Sequence, residues 1–209
     1  MPRYFIIGTD TDCGKTYVTC QLLKHLNQSH QQALAIKPIA SGGRGDIDAL
    51  NQHQDPGTQP IFHWLFEPAI APHLAAEQAS QVISFDALDT FCDAKQYTNT
   101  QTLLIESAGG LMCPLNKNLT WLDYLEHSKI PIILVVGMQL GCINHALLTA
   151  LALKHHNLNC LGWIANCVDP TMQVLDENIQ TLEHRLEFPR LATLEFGGTM
   201  PHDFCLPTY

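Results

Sequence analysis

The sequence predicts an α/β protein with a doubly wound, mostly parallel sheet flanked by helices. Short apolar runs rich in β-branched residues alternate with longer helical patterns along the chain. The apolar runs are continuous, as expected for strands that are buried on both faces. Polar residues follow these runs at their carboxyl ends, which lie along one edge of a parallel sheet. The 209 residues fit a single domain, 1–209, with a substantial core.

The elements can be placed in chain order from these patterns. The predicted strands are residues 4–8, 33–37, 102–106, 132–136, 160–166 and 190–194. The predicted helices are residues 15–25, 86–94, 122–127, 144–155 and 172–186. Ser84 and Thr120 precede two of these helices and have side chains that suit an N-cap. Residues 40–80 are rich in glycine and proline, which predicts long loops with short helices facing a substrate.

Composition excludes several classes of protein. Hydrophobic residues make up 46% and charged residues 15%, which is typical of a globular chain. The net charge of −9, without a cluster of Lys or Arg, argues against nucleic-acid binding. The eight cysteines form no C-x-x-C pair, which indicates buried thiols in a reducing, cytoplasmic compartment. The longest apolar stretch, residues 130–136, is too short for a bilayer, and no signal-peptide pattern opens the chain, so no membrane partner is expected.

The strongest local pattern lies between the first strand and the first helix. Residues 8–16 read Gly-Thr-Asp-Thr-Asp-Cys-Gly-Lys-Thr, which indicates a P-loop nucleoside-triphosphatase type of fold. Backbone N–H groups and the helix dipole would bind phosphate there, with Lys15 adding positive charge and Thr16 able to hold Mg²⁺. Position 9, where the standard pattern has its first glycine, is threonine, so the loop is a variant.

Other polar residues follow the remaining strands. The Lys37 ammonium can reach the phosphate region, and the Glu106 carboxylate can bind Mg²⁺ or orient a group that binds it. Asp46 and Asp48 each suit either a helix cap or a Mg²⁺ ligand, and their spacing does not choose between them. Asn166 suits the edge of adenine, although an ordinary turn explains it nearly as well.

The helix predicted after the strand 132–136 opens with a possible anion site. Free N–H groups at that start can hold a carboxylate. Cys142 invites interpretation as a nucleophile, but no companion base is identifiable and a buried thiol is the better interpretation. His145 is interpreted as a packing or capping residue.

Taken together, the motifs resemble the dethiobiotin synthase family. They are the loop 8–16, Lys-Pro-Ile-Ala-Ser at 37–41, Asp-Ala-Leu at 48–50, Glu-Ser-Ala-Gly-Gly at 106–110, residues 131–137, Leu-Gly-Cys-Ile-Asn-His at 140–145 and Trp-Ile-Ala-Asn at 163–166. The resemblance implies a seven-stranded parallel sheet and a homodimer. It implies closure of the ureido ring of dethiobiotin from 7,8-diaminononanoate, CO₂ and MgATP, through a carbamate and a carbamic–phosphoric anhydride.

The resemblance also implies roles for individual residues. Catalysis is expected from Lys15, Lys37, Thr11 and Ser41, and Mg²⁺ binding from Thr16, Asp48 and Glu106. The residues expected to contact ATP are Asp12, Cys13, Gly14, Lys15, Thr16, Tyr17, Glu106, Gly109, Asn166 and Glu195. The partner subunit's helix start is expected to hold the substrate carboxylate through Gly141, Cys142, Ile143 and Asn144.

Three departures from the family pattern stand out. Ser107 replaces a usual glycine, Cys13 replaces an aliphatic residue, and residues 192–196 lack the usual Gly-x-x-Pro, which leaves nucleotide preference open.

The main alternative is a switch ATPase of the ParA or MinD kind, which usually carries a lysine early in the loop where this chain has Asp-Thr-Asp. A glutamine-dependent amidating enzyme would need a further glutaminase domain, for which 209 residues leave no room.

Overall fold

The fold is organised around a sheet of six parallel strands. The computed structural model describes residues 1–57 and 59–209, and its main sheet has the strand order β2-β5-β1-β6-β7-β8. Two further short strands, β3 and β4, pair with each other in a separate parallel sheet. The strands are β1 (Arg3–Gly8), β2 (Ala33–Ile36), β3 (Ile39–Ser41), β4 (Trp64–Phe66), β5 (Thr102–Gly110), β6 (Ile132–Gly137), β7 (Cys160–Asn166) and β8 (Arg190–Leu194). All six predicted strands are therefore confirmed.

Helices connect and flank these strands. They are α1 (Lys15–Gln28), α2 (Gly45–Asn51), α3 (Pro72–Gln78), α4 (Phe85–Phe91), α5 (Trp121–Ser128), α6 (Cys142–His155) and α7 (Leu175–Arg185). The predicted helix positions and the short elements of residues 40–80 are confirmed. Both predicted N-caps are also present. The Ser84 hydroxyl accepts the Ala87 N–H at 3.3 Å, and Thr120 forms a reciprocal capping box with Asp123.

The expected seventh strand is absent from the main sheet of the described residues, so that count was wrong. The free edge of β2 is occupied instead by a side chain. The Gln54 amide accepts the Ala35 N–H at 2.6 Å and donates to the Ala35 carbonyl at 3.0 Å, imitating a strand partner. Farther along, the Lys37 N–H donates to the Ile61 carbonyl at 2.7 Å. These backbone groups are thus paired without a further strand, and β4 pairs with β3 in the separate sheet.

β1 is the central strand and the core forms around it. Phe5, Ile6 and Ile7 are fully buried, and each such side chain stabilises the fold by about 1.5–3 kcal/mol relative to exposure. The Phe5 ring packs on Trp121 of α5, with ring centroids 5.3 Å apart. Within the described residues, no helix has the length and hydropathy needed to cross a bilayer.

The strand order places the loop after β1 at the topological switch point, where the direction of the chain's progress across the sheet reverses. From β1 the chain passes through α1 to β2 on one side, whereas β6, β7 and β8 lie on the other side. Ligands of open α/β sheets bind at this reversal, outside the carboxyl ends of the strands.

β5 is longer than predicted. It runs past Glu106 to Gly110, with an irregular register against β1 between the Ile6–Glu106 and Gly8–Gly110 pairs. Glu106 therefore lies inside the strand, where its side chain is fully buried.

Candidate active site

The loop between β1 and α1 sits tightly on the ends of β6 and β7. Gly14 has φ +83°, a left-handed conformation that favours glycine, and a Cβ there would overlap the Asn166 amide. A Cβ on Gly137, at the end of β6, would lie 2.8 Å from Cys13 Cα. The buried Cys13 thus packs against the backbone of Gly137, which fixes the distance between the loop and the end of β6.

Two side chains of the first turn of α1 point to different partners. Lys15 is 6% exposed and its ammonium donates to the Asp10 carbonyl of the loop at 2.9 Å. The Thr16 hydroxyl donates to Glu106 Oε1 at 2.5 Å. The loop and the buried carboxylate of β5 are therefore directly connected, as the predicted shared site requires.

Lys37 lies directly after β2 and forms a buried ion-pair group. Its ammonium contacts Glu106 Oε1 at 2.7 Å and also contacts the Asp46 carboxylate. Burial lowers the pKa of Lys37, but the charges of Glu106 and Asp46 outweigh this and raise the pKa above its ordinary value. Burial likewise raises the pKa of Asp46, but Lys37 and the Thr16 hydroxyl outweigh it and lower that pKa. Lys37 is therefore a positively charged residue whose ammonium is fixed in the site by these two carboxylates.

The structure separates the two aspartates that spacing could not. Asp46 contacts Lys37, whereas Asp48 is exposed and its nearest cation is Arg44, with Asp48 Oδ1 3.5 Å from Arg44 Nε. Both lie on α2, where residues two apart point about 200° away from each other around the helix axis. Only one can therefore face the sheet, and here it is Asp46 that contacts Lys37, while the expected role of Asp48 in Mg²⁺ binding stays a prediction. The Asp-Ala-Leu match favoured the aspartate on the outer face.

These groups open into one cleft of about 860 Å³. Thr11 and Ser41 line it, and the Ser41 hydroxyl oxygen is buried without a hydrogen-bond partner. The opposite wall comes from residues 40–80, the segment predicted to face a substrate. The lining residues are Thr11, Asp12, Gly14, Lys15, Thr16, Lys37, Ser41, Gly42, Gly43, Gly45, Asp46, Ala69, Ile70, Ala71, Pro72, Ala108, Gly109 and Cys113.

Other predicted residues lie outside this cleft. Asn166 is 3% exposed and its amide donates to the Cys13 carbonyl at 3.0 Å, so it supports the loop. The Tyr17 hydroxyl donates to the Gly198 carbonyl, which ties the segment after β8 to α1. Glu195 is exposed just past the end of β8. Residues Gly141 to Asn144 are not among the described residues that line this cleft, and their expected contact with a partner's substrate stays a prediction.

Cys142 and His145 show no catalytic arrangement. Cys142 is buried, and burial raises the pKa of its thiol, which keeps it protonated. His145 Nδ1 lies 3.8 Å from Asp10 Oδ2, a long surface contact. Both fit the structural interpretation favoured by the sequence.

The sequence missed part of the cleft wall. Ala69 to Pro72 carry no group with recognisable chemistry, and Cys113 lies outside every motif. A usable signal was the pair Gly42 and Gly43, whose φ values of +94° and +85° turn the chain back over the site.

Comparisons with known proteins agree with this geometry. A family model described as an AAA domain matches residues 2–199. An ATP-dependent dethiobiotin synthetase of Legionella pneumophila strain Corby is 47% identical, covering 99% of each chain. The enzyme of that name from Pseudoalteromonas translucida is 41% identical, covering 96% of this chain and 93% of its own. This chain belongs to the ATP-dependent dethiobiotin synthetase family.

Solved structures show how widely the synthetase fold is shared. The MinC:MinD cell division complex of Aquifex aeolicus has a chain with TM-score 0.60 and 14% identity, covering 93% of this chain and 81% of its own. The cell division protein FtsY of Thermotoga maritima has TM-score 0.58 and 15% identity, covering 100% and 65%. Such identities show the fold alone, so the MinD-like neighbours lend no support to the switch-ATPase alternative.

Proposed function

We propose that the protein closes the ureido ring of dethiobiotin from 7,8-diaminononanoate, CO₂ and ATP. The observation that carries this proposal is the single cleft shared by the phosphate loop, the buried Lys37 ammonium and the unpartnered Ser41 hydroxyl. The described residues that line the cleft offer cations and hydrogen-bond groups but no activated nucleophile, since burial raises the pKa of the Cys113 thiol. That suits a reaction in which both nucleophiles belong to the substrate.

The reaction needs charge stabilisation at each step. One amine adds to CO₂ and loses a proton, giving a carbamate. A carbamate oxygen then attacks the γ-phosphorus, ADP leaves, and the second amine displaces phosphate from the carbonyl carbon to close the ring. Lys15 and Lys37 neutralise the growing negative charge, while Thr11 and Ser41 hydrogen-bond the carbamate.

The oxygen atoms beside Lys37 suit a Mg²⁺ ion. Glu106 Oε2 is buried without a hydrogen-bond partner, and Mg²⁺ is a hard cation that binds carboxylate, hydroxyl and phosphate oxygens. Thr16, Glu106 and Asp46 would hold the ion, with Asp46 in the role first expected of Asp48. Within residues 1–57 and 59–209, no group of three His, Cys, Asp or Glu side chains could hold a metal, so nucleotide oxygens would complete the set. When bound, Mg²⁺ would neutralise charge on the transferred phosphoryl group.

ATP is expected to lie along the loop. Asp12, Cys13, Gly14 and Tyr17 belong to the loop and the first helical turn, where N–H groups point toward an anion. Gly109 approaches the same cleft from β5. Glu195, exposed just past the end of β8, would face the base. Asn166 would reach the base only by giving up its contact with the Cys13 carbonyl.

The test is phosphate release by the purified protein with bicarbonate, MgATP and the diamine. We expect one phosphate and one ADP for each ring formed, and no sustained release without the diamine. A nonanoate with a single amine is the matched control, because it can form a carbamate but cannot close a ring. Phosphate release that ignores the diamine would contradict the proposal and favour a switch ATPase.

We further propose a cytoplasmic homodimer formed through α6. Large apolar side chains are exposed on or beside this helix: Leu140 is 97% exposed, Leu151 64% and Leu148 58%. Such a cluster is unfavourable in water unless a second surface covers it. The partner's residues Gly141 to Asn144 would then bind the substrate carboxylate.

Sedimentation velocity tests the dimer. Leu151→Glu should convert a dimer into a monomer and raise KM for the diamine, because the partner's helix start is lost. Val82→Glu is the control, since Val82 is 74% exposed but lies between α3 and α4. A wild-type protein that sediments as a monomer would exclude this arrangement.

A further inference from the structure

The ammonium of Lys37 lies among the oxygens that suit the metal. Glu106 Oε1 is shared by the Lys37 ammonium at 2.7 Å and the Thr16 hydroxyl at 2.5 Å, and Asp46 contacts the same ammonium. We call Thr16, Asp46 and Glu106 the cation cradle. Side chains from α1, α2 and β5 thus converge on one small volume that already contains a positive charge.

Two cations cannot occupy this cradle together. Like charges within a few ångströms repel strongly, above all where protein excludes water. Lys37 is 4% exposed and the Glu106 side chain is fully buried, so little water screens the repulsion on the Glu106 side, whereas the Asp46 side chain is 48% exposed to the cleft. A divalent cation that uses Glu106 and Asp46 must therefore displace the Lys37 ammonium.

The displaced ammonium has a place to go. Lys37 lines the cleft of about 860 Å³ that also contains the phosphate loop and Ser41. A lysine side chain has four rotatable bonds, so its ammonium can turn into the cleft while the backbone after β2 stays fixed. The Lys37 N–H, donating to the Ile61 carbonyl, anchors that backbone.

We propose that the cradle exchanges cations: Lys37 fills it until a divalent cation binds and then leaves it. Lys37 thereby turns to the transferred phosphoryl group only after the metal has arrived. Asp46 is a positioning residue in this exchange, because it contacts Lys37 and has no reacting atom of its own. The inference rests on the proposed function and adds to it that metal binding moves the Lys37 ammonium to the transferred phosphoryl group.

The exchange is tested by titrating the nucleotide-free protein with Mn²⁺ and measuring free Mn²⁺ by electron paramagnetic resonance. Lys37→Met removes the competing charge and should tighten Mn²⁺ binding by about tenfold or more. Lys15→Met is the matched control: Lys15 carries the same charge in the same cleft, but its ammonium contacts the Asp10 carbonyl. An equal gain in both variants would indicate general electrostatics and overturn the exchange.

A double-mutant cycle then locates the cradle. Adding Asp46→Asn to Lys37→Met should remove most of the gain in Mn²⁺ affinity, because the ion loses a carboxylate. Adding Asp48→Asn should leave the gain intact, since Asp48 faces Arg44 on the outer side of α2. The opposite pattern would place the ion beside Asp48 and contradict the cradle.

A measurement on the wild-type protein covers the case in which Lys37→Met does not fold. Brief treatment with acetic anhydride, read by peptide mass spectrometry, reports how free each lysine amine is. Mn²⁺ alone should raise labelling of Lys37 several-fold, with labelling of Lys15 unchanged. Labelling of Lys37 that ignores Mn²⁺ would overturn the exchange.

None of these measurements uses the diamine or turnover. Failure of the exchange with diamine-dependent phosphate release intact would leave the proposed function standing. Success of the exchange without such release would remove the proposed function alone.

Discussion

The two halves of the main sheet carry different groups at their carboxyl ends. On one side, β2 and β5 bring Lys37 and Glu106 against each other, with the phosphate loop of β1 alongside. On the other side, β6 and β7 end in Gly137 and Asn166, which support the Cys13 region of the loop without adding charge. The first half thus concentrates charge, and the second half fixes the position of the loop. Changes in the first half should therefore affect turnover, and changes in the second half nucleotide binding.

The largest effect is expected from Lys37→Ala. Loss of this cation from the site should lower kcat by about a thousandfold, since preorganised charge is the main source of catalysis here. The buried Glu106 loses its partner, so stability should fall by about 3 kcal/mol while the chain still folds. Steady-state kinetics and circular dichroism measure the two effects. Unimpaired turnover would remove Lys37 from the site.

The substitutions Asp46→Asn and Asp48→Asn test which aspartate of α2 contributes to the charged half of the sheet. Asp46→Asn should lower kcat/KM by about a hundredfold at limiting Mg²⁺, because the carboxylate beside Lys37 and Thr16 is lost. Asp48→Asn should stay within about twofold of wild type, as expected for an exposed residue whose ion pair is worth little. A larger loss from Asp48→Asn would restore the original metal assignment. Both variants are compared across a Mg²⁺ series.

The second half is tested by Gly137→Ala. The added Cβ would lie 2.8 Å from Cys13 Cα, so the loop must shift. We expect KM for ATP to rise about tenfold with kcat changed less, and stability to fall by about 1–3 kcal/mol. Gly45→Ala is the control, because a Cβ there meets nothing within 4 Å. Equal KM values for the two variants would contradict the supporting role of β6.

The smallest effect concerns the thiols. Burial is the main reason that the pKa of Cys92 rises from 9.0 to about 12. Between those values the unfolded chain loses a proton that the folded chain keeps, so stability falls as pH rises. At pH 8 we expect fast reaction with a disulfide reagent at the exposed Cys205 and slow reaction at the half-buried Cys113. Rapid labelling of Cys92 in the native protein would contradict this burial.

The sequence predicted the fold because strands buried on both faces leave an unambiguous apolar pattern. It also predicted the charged residues after β1, β2 and within β5, since each follows or ends such a run. The choice between Asp46 and Asp48 depends on which face of α2 packs inward, and seven residues are too few to show a periodicity. The resemblance to a family therefore selected the outer aspartate.

The wall of the cleft escaped prediction for a related reason. Ala69 and Ile70 contribute only shape, and shape arises from the turn at Gly42 and Gly43 and the docking of α3. Apart from that glycine pair, no residue type marks such a surface in a sequence. The prediction of a seventh strand failed at the edge of β2, where the Gln54 side-chain amide forms the hydrogen bonds with Ala35 that the backbone of another strand would form.

That amide has a consequence for behaviour at high concentration. A glutamine side chain guards an edge that would otherwise offer the N–H and C=O of Ala35 to the backbone of another molecule. Gln54→Ala would leave the N–H and C=O of the fully buried Ala35 without partners, which costs stability, and would free a template for intermolecular strand addition, so its harm should grow with protein concentration as well as with temperature. The amide is therefore expected to protect both the fold and the solubility of the protein.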